Sequence, residues 1–462
     1  MVGSLSLDGP GLDLRACADG PSLGRGPVTI GTLRPPVGPL APDAHISPGR
    51  TNPEHRAALR PATMSRSMPA LAHGLETGRR RLFIVLFVNF IGFGAGAVLI
   101  GAIMPMILRD YAWTYVFMGV LMSCGAVGYF VSTFVCGLLV RHLGSRVVIV
   151  STQLIRAAGF MLFGRTPEMG VNLLAVALIG LGEGGIEVVT NLCVVRMESA
   201  GRSRLMNLMH AGFPLGAILA SLVTSFLLNL GVAWQSLFRG LAWYCVVGSW
   251  ALYRQQFPAM RPESSGNSSL SALNVVLRRP LLVLLSLVIL MYVGVEIGVS
   301  NWVAEYYVQV LDTSPARGAA MVSVVWFGLL AGRLVLSFGY RSTRQAPLLA
   351  ILAAVSTFFL ALALHIDVEP VVTILFGVTG IGLSAVYPVT IVLVGQYFPT
   401  EQGLAIGVVS TAGGVGCFLF PLVMSSVAQS YGMIAGFWFY VALCATTTLV
   451  ALLVLWYDSS RR

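Results

Sequence analysis

The sequence predicts an all-α integral membrane protein: twelve transmembrane helices in two six-helix bundles, preceded by a disordered N-terminal tail. Three observations lead there. Of 462 residues, 56% are hydrophobic and 10% charged, with a mean hydropathy of +0.81, whereas soluble domains run to roughly 45–50% apolar and about 25% charged. Apolar runs near the roughly 20 residues that cross a bilayer recur from Arg79 to the C-terminal end. One long polar stretch, residues 258–279, divides those runs six and six.

The elements follow in chain order. Residues 1–77 are rich in Pro, Gly and Arg and contain no apolar run long enough for a signal-peptide core, so they read as a disordered tail, with Met64 and Met68 as alternative starts to Met1. The first bundle, 78–257, takes spans near 82–108, 114–140, 147–164, 170–196, 205–231 and 233–257. A cytoplasmic central loop, 258–279, separates it from the second bundle, 280–457, with spans near 280–309, 317–339, 345–366, 369–396, 404–429 and 431–457. Residues 458–462 form a short cytoplasmic tail. The two halves are nearly equal in length, which points to an internal repeat. The seven cysteines show no Cys-x-x-Cys spacing and mostly fall in apolar segments, where they read as small buried hydrophobes.

Charge placement sets orientation. All 29 basic residues are arginine. With both termini cytoplasmic, Arg79, Arg80, Arg81, Arg141, Arg146, Arg202, Arg204, Arg254, Arg261, Arg278, Arg279, Arg341, Arg344, Arg461 and Arg462 lie inside, and only Arg109, Arg165 and Arg317 fall in outer connections. That bias accounts for the net charge of +10 without a nucleic-acid partner. The plasma membrane is the default location. The sequon Asn267-Ser268-Ser269 is cytoplasmic on this topology and should stay unglycosylated.

Six plus six spans around a long middle loop resembles the layout of the major facilitator superfamily, whose two bundles rock around a site near the bilayer midplane. The connection "GLLVRHLGSR" (137–146) looks like that superfamily's loop motif, keeping Gly137, Gly144 and Arg146 as gating residues but carrying Arg141 where aspartate is usual. Narrower resemblances appear in span four, Gly182-x-Gly184-x-x-Glu187-x-x-x-Asn191, and in span five, "NLMHAGFPLGA" (207–217); both are similar to the fucose:proton symporter family. Span seven, "YVGVEIGVSNWVAEYY" (292–307), resembles the sodium-dependent glucose transporter-like branch, with "WFGLLAGR" (326–333) and "GIGLSAVYP" (380–388) in support. One departure stands out: the first span has only Asn89 as a strongly polar residue, where fucose symporters carry a second proton-binding aspartate.

The intramembrane charges are Arg156, Glu183, Glu187, Arg239, Glu296 and Arg333. Each costs roughly 2.5–3.5 kcal/mol at the bilayer centre, about 15–20 kcal/mol together, so pairing, protonation or water must offset most of it. Counting residues from the span ends places Arg156 and Glu187 at similar depth and predicts that they pair, as a static brace or as a coupling pair. Glu183, Glu187 and Asn191 share one helical face, and two acids so close do not easily both ionise, so one can carry a proton. Glu187 is the chosen proton-coupling acid, since it lies nearer the midplane and matches the family's acid before Asn191. Glu183 is grouped with Glu187 and Arg156 as proton-coupling and also suits an outer-gate or water-exposed acid, and Asn191 is expected to bind the solute. His210 is open to three roles: solute hydrogen bond, proton relay, or a bond to a neighbouring carbonyl. Glu296, Asn301 and Trp302 combine acid, amide and aromatic within two turns, as a sugar site needs, although Trp302, Tyr306 and Tyr307 also suit an interfacial aromatic belt. Trp326 points to a central pocket. Arg239 and Arg333 suit helix-end locking or snorkelling, and Arg333 is grouped with the gating residues.

These readings predict a monomeric secondary active transporter for a small polar solute, a sugar, working by alternating access with cation symport; the coupling ion is a proton, with sodium as the alternative. A proton falling through 100 mV and one pH unit supplies about 3.7 kcal/mol, enough for several-hundred-fold accumulation. No cofactor, metal or enzymatic motif is expected. A proton-coupled drug or metabolite exporter is the second reading, weakened because "HAGFPLGAILAS" lacks the Gly-x-x-x-Gly-Pro-x-x-Gly-Gly pattern such antiporters resemble. A non-transporting membrane receptor is the reading from another class.

Overall fold

The computed structural model describes residues 68–197, 204–258, 279–339 and 344–460. Among these the chain forms thirteen α-helices: α1 Met68–Ala102, α2 Met104–Tyr111, α3 Tyr115–Leu162, α4 Met169–Met197, α5 Arg204–Asn229, α6 Trp234–Tyr253, α7 Pro280–Val310, α8 Pro315–Gly339, α9 Gln345–Ala363, α10 Glu369–Leu383, α11 Val386–Tyr397, α12 Gln402–Tyr431 and α13 Met433–Ser460. Ten stretches are long and apolar enough to cross a membrane. Helix α3 kinks at Gly144, and its 48 residues, at 1.5 Å each, divide there into arms of about 44 Å and about 27 Å, so α3 makes two passes. The 20 residues of α6, about 30 Å, supply the twelfth. Large apolar side chains such as Phe134, Phe226, Trp250, Phe327 and Ile374 face outward, more than 60% exposed, as lipid-facing positions require.

Four features differ from the sequence expectation. Helix α1 begins at Met68, so ten residues assigned to the tail are helical, behind a proline at the second helical position. The connection between spans two and three is shorter than expected: the two helical arms of α3 meet at a kink at Gly144 (φ 77°, ψ 157°), a non-helical conformation that a Cβ would strain. Spans one and ten are each broken, at Ile103 and at Ala385. Pro105 and Pro388 explain both breaks, because neither has an N–H for the carbonyl four residues earlier.

Helices α1–α6 pack on one another and α7–α13 likewise; the two sets meet where α1, α2, α3 and α5 face α7, α8 and α12. Both fifth spans carry Phe-Pro-Leu in mid-helix, Phe213-Pro214-Leu215 in α5 and Phe420-Pro421-Leu422 in α12, a trace of the internal repeat. Glycines bring paired helices to backbone contact. A Cβ on Gly180 of α4 would strike the Gly125 carbonyl of α3, and one on Gly328 of α8 the Gly377 carbonyl of α10. This close packing fixes register, and register decides which charges meet.

Candidate functional site

A cavity of about 700 Å³ lies between the two sets of helices. Its walls are mostly aromatic and aliphatic: Phe90 and Phe93 of α1, Tyr129 and Phe130 of α3, Phe213 of α5, Trp326 of α8 and Tyr387 of α11 among them. Into this apolar lining project Glu183, Glu187, His210, Glu296, Asn301 and Arg333. Seven expected site residues therefore share one chamber, Trp326 being the seventh.

The three acids are held differently. Gly182 packs on the Cα and Cβ of Arg156, which levels the guanidinium with Glu183 instead of Glu187. The expected Arg156–Glu187 pair is thereby corrected: Arg156 Nη2 donates to Glu183 Oε1 at 3.0 Å. The same nitrogen donates to the Gly92 and Phe93 carbonyls of α1 at 2.9 and 3.2 Å, in space that a side chain on Gly96 would fill. Arg156 is 0% exposed, its guanidinium 5.0 Å from the Phe160 ring centre, and its Nε and Nη1 have no partner.

Glu187, one turn away, accepts a hydrogen bond from the Tyr129 hydroxyl and takes part in no ion pair among the described residues. Glu296 meets Arg333 Nη2 at 3.3 Å. Arg333 Nε also donates to the Ser384 carbonyl at 2.9 Å, the group that Pro388 leaves without its helical donor. Arg333 thus lies on the cavity wall.

Among the neutral groups, His210 sets its ring edge-on to Phe90, centroids 5.3 Å apart. The indole of Trp326 donates to Ser300 Oγ at 2.6 Å and lies 5.2 Å from the Phe213 ring. Asn301 is 9% exposed and abuts Gly101 of α1.

Asn191 and Trp302 are not among the residues that line the cavity. Trp302 is fully buried, edge-on to Tyr115 at 5.7 Å, with its indole nitrogen unpartnered. Gly137 and Gly144 have open space around them, and Arg146 Nη2 donates to the Gln255 carbonyl at 2.8 Å, tying α3 to the end of α6. Arg239 holds the Phe160 and Phe163 carbonyls at 2.9 and 2.7 Å, the helix-end role expected of it. Tyr129 and Phe213 are wall residues that sequence reasoning missed, since single aromatics in apolar spans carry no distinguishing signal.

Beyond the cavity, at the end of the molecule opposite the N-terminal end of α1, three hydrogen bonds cross between the sets. The Tyr115 hydroxyl donates to Glu305 at 2.9 Å, the Tyr115 backbone N–H to Gln429 Oε1 at 2.8 Å, and Ser123 Oγ to the Phe418 carbonyl at 2.7 Å.

Comparison with known proteins agrees with this architecture. The chain is 20% identical over 249 residues to Protein TsgA homolog of Buchnera aphidicola subsp. Baizongia pistaciae (strain Bp), covering 54% of this chain and 62% of that protein. It is 21% identical over 385 residues to the sodium-dependent glucose transporter 1A of Mus musculus, covering 75% and 89%. The crystal structure of the nucleoside transporter NupG superposes with a TM-score of 0.69 at 14% identity, over 82% of this chain and 98% of that one, which shows the fold alone. The family model of the Major Facilitator Superfamily matches residues 82–376 and 318–462. With twelve passes, two facing sets of helices and a charged chamber between them, the chain belongs to the Major Facilitator Superfamily, a family of transporters and not of enzymes.

Proposed function

We propose that this transporter carries a small polyhydroxylated solute, a hexose or a molecule of similar size, by alternating access coupled to proton symport. The observation that carries the reading is the composition of the chamber: flat aromatic faces at Trp326, Phe213 and Tyr387 beside Asn301, His210 and three carboxylates. Aromatic faces take the C–H side of a sugar ring, and polar groups pair its hydroxyls. The names of the similar glucose and nucleoside transporters support the same solute class. The arginine distribution supports termini on the cytoplasmic side, and the same reading takes the chain as a monomer in the plasma membrane.

Glu187 carries the coupling proton in this reading. Glu183 and Glu296 each have an arginine against them, whereas Glu187 has only the neutral Tyr129 hydroxyl, so its charge is free to change through the cycle. Arg156 and Glu183 brace α1, α3 and α4 around it; Asn301, Glu296, His210 and Trp326 contact the solute.

The test is uptake of labelled D-glucose and uridine into proteoliposomes under separately imposed proton and sodium gradients. Proton-driven glucose uptake that disappears in Glu187→Gln while counterflow exchange persists supports both assignments. Sodium-driven uptake moves the coupling to sodium, and uptake of neither compound under either gradient removes the sugar reading.

A further inference from the structure

Glu305, in the last two turns of α7, takes no part in the chamber and is 1% exposed. Tyr115, at the first residue of α3 in the other set, donates its hydroxyl to Oε1 at 2.9 Å, and the neutral amide of Gln309, one turn on, is its other polar neighbour. The groups around it come from four helices: Arg109 of α2, Tyr115 of α3, Gln309 of α7 and Gln429 of α12, which together with Trp113 and Glu305 line a hollow of about 500 Å³. Arg109 is the only cation among them, and it is 66% exposed and paired with Asp110 at 2.9 Å. Glu305 has no ion pair among the described residues.

A buried ionised carboxylate with no cation is strongly disfavoured against its neutral form. Here burial depends on the two sets being in contact, because the shielding helices α2 and α3 belong to one set, and α7 and α12 to the other.

We propose that Glu305 is a second proton site, built into the seal between the two sets and exchanging with solution on the side away from the termini. Closing the seal transfers one proton from water to the Glu305 carboxylate; opening it returns that proton to water and leaves the ion solvated. The bond to Tyr115 persists with the neutral acid, whose Oε1 still accepts. One proton bound in one state and not in the other tilts the open-to-closed ratio by up to about tenfold per pH unit, towards open as pH rises. The inference builds on alternating access but not on the identity of the solute.

The test reads shape and not flux. Met169 and Val368, 45% and 57% exposed at the starts of α4 and α10, take spin labels as Met169→Cys and Val368→Cys in the full chain with its native cysteines replaced by serine. Electron–electron distances are then recorded in lipid nanodiscs across a pH titration. The expected result is a longer-distance population that grows with pH, and that is lost at every pH in Glu305→Gln, which keeps the acceptor but not the charge. Tyr115→Phe should stay pH-responsive with a larger open fraction. A pH response in Glu305→Gln equal to that of the parent, or none in the parent, overturns the proposal.

A second measurement keeps the native cysteines. The infrared band of protonated carboxyl groups at neutral pH should lose one group's intensity in Glu305→Gln, and an unchanged band overturns the proposal equally. Loss of D-glucose and uridine transport with the pH response intact would count against the solute reading alone.

Discussion

Two arginine–glutamate pairs, each with its acid on the cavity, differ in a way that fixes what each contributes to stability. In both pairs the acid side chain is 13% exposed, but Arg156 is 0% exposed and Arg333 32%. Replacing Glu183 by leucine leaves the fully buried Arg156 guanidinium without its anion, with the Gly92 and Phe93 carbonyls and the Phe160 ring as its remaining neutral contacts. Stranding a buried charge in this way costs about 3–5 kcal/mol. Replacing Glu296 by leucine leaves Arg333, 32% exposed, still bonded to Ser384, which brings the loss near the exposed-pair range of about 0–1 kcal/mol. The assay is equilibrium unfolding in mixed micelles of rising detergent denaturant, read by helical circular dichroism. Glu183→Leu should be less stable than Glu296→Leu by roughly 3 kcal/mol, and Arg156→Met with Glu183→Leu should recover most of the loss, since an apolar pair of similar volume needs no compensation. Equal costs for the two acids, or a double variant as unstable as Glu183→Leu, would refute the reasoning.

Other expected outcomes rest on single contacts. Trp326→Ala removes the indole face beside Phe213 and should raise the KM for transported glucose by roughly 2–12-fold, the equivalent of about 0.5–1.5 kcal/mol of ring contact, with little change in maximal rate. Gly180→Ala drives a methyl onto the Gly125 carbonyl and should cost about 1–3 kcal/mol in the same unfolding assay, while Gly170→Ala, with nothing within 4 Å, should be neutral. Within one connection, Gly144→Ala should lose about 1–2 kcal/mol because its φ is 77°, and Gly137→Ala should not destabilise.

Hydropathy made the twelve crossings legible, because the absence of water in the bilayer leaves little but a run of apolar helix that can span it. Helix ends were less so. Polar residues between spans two and three read as a loop, yet Gly144 alone turns the chain while the remainder stays helical. The depth estimate that matched Arg156 to Glu187 missed by one helical turn, since span ends are uncertain by a few residues and the true register comes from Gly182 lying on Arg156. The acids of the chamber announced themselves by being charged in an apolar run; Tyr129, which partners Glu187, did not. Glu305 was visible in the sequence too, but its neighbours Tyr306 and Tyr307 made the segment look like an interface between membrane and water, and only packing against Tyr115 shows it enclosed.

Arg333 spans two kinds of structure at once. One nitrogen holds the Glu296 carboxylate, while another caps the carbonyl that Pro388 releases where α10 gives way to α11. The side chain acts as a strut between an electrical element and a mechanical one. If Glu296 gains or loses its hold on that guanidinium, the fracture in span ten is the first part of the backbone to feel it, because no amide stands ready to take over the Ser384 carbonyl. A helix without this proline would absorb the same disturbance in its own ladder. Here the wall of the chamber has a built-in crease, and its fold line runs through the charge.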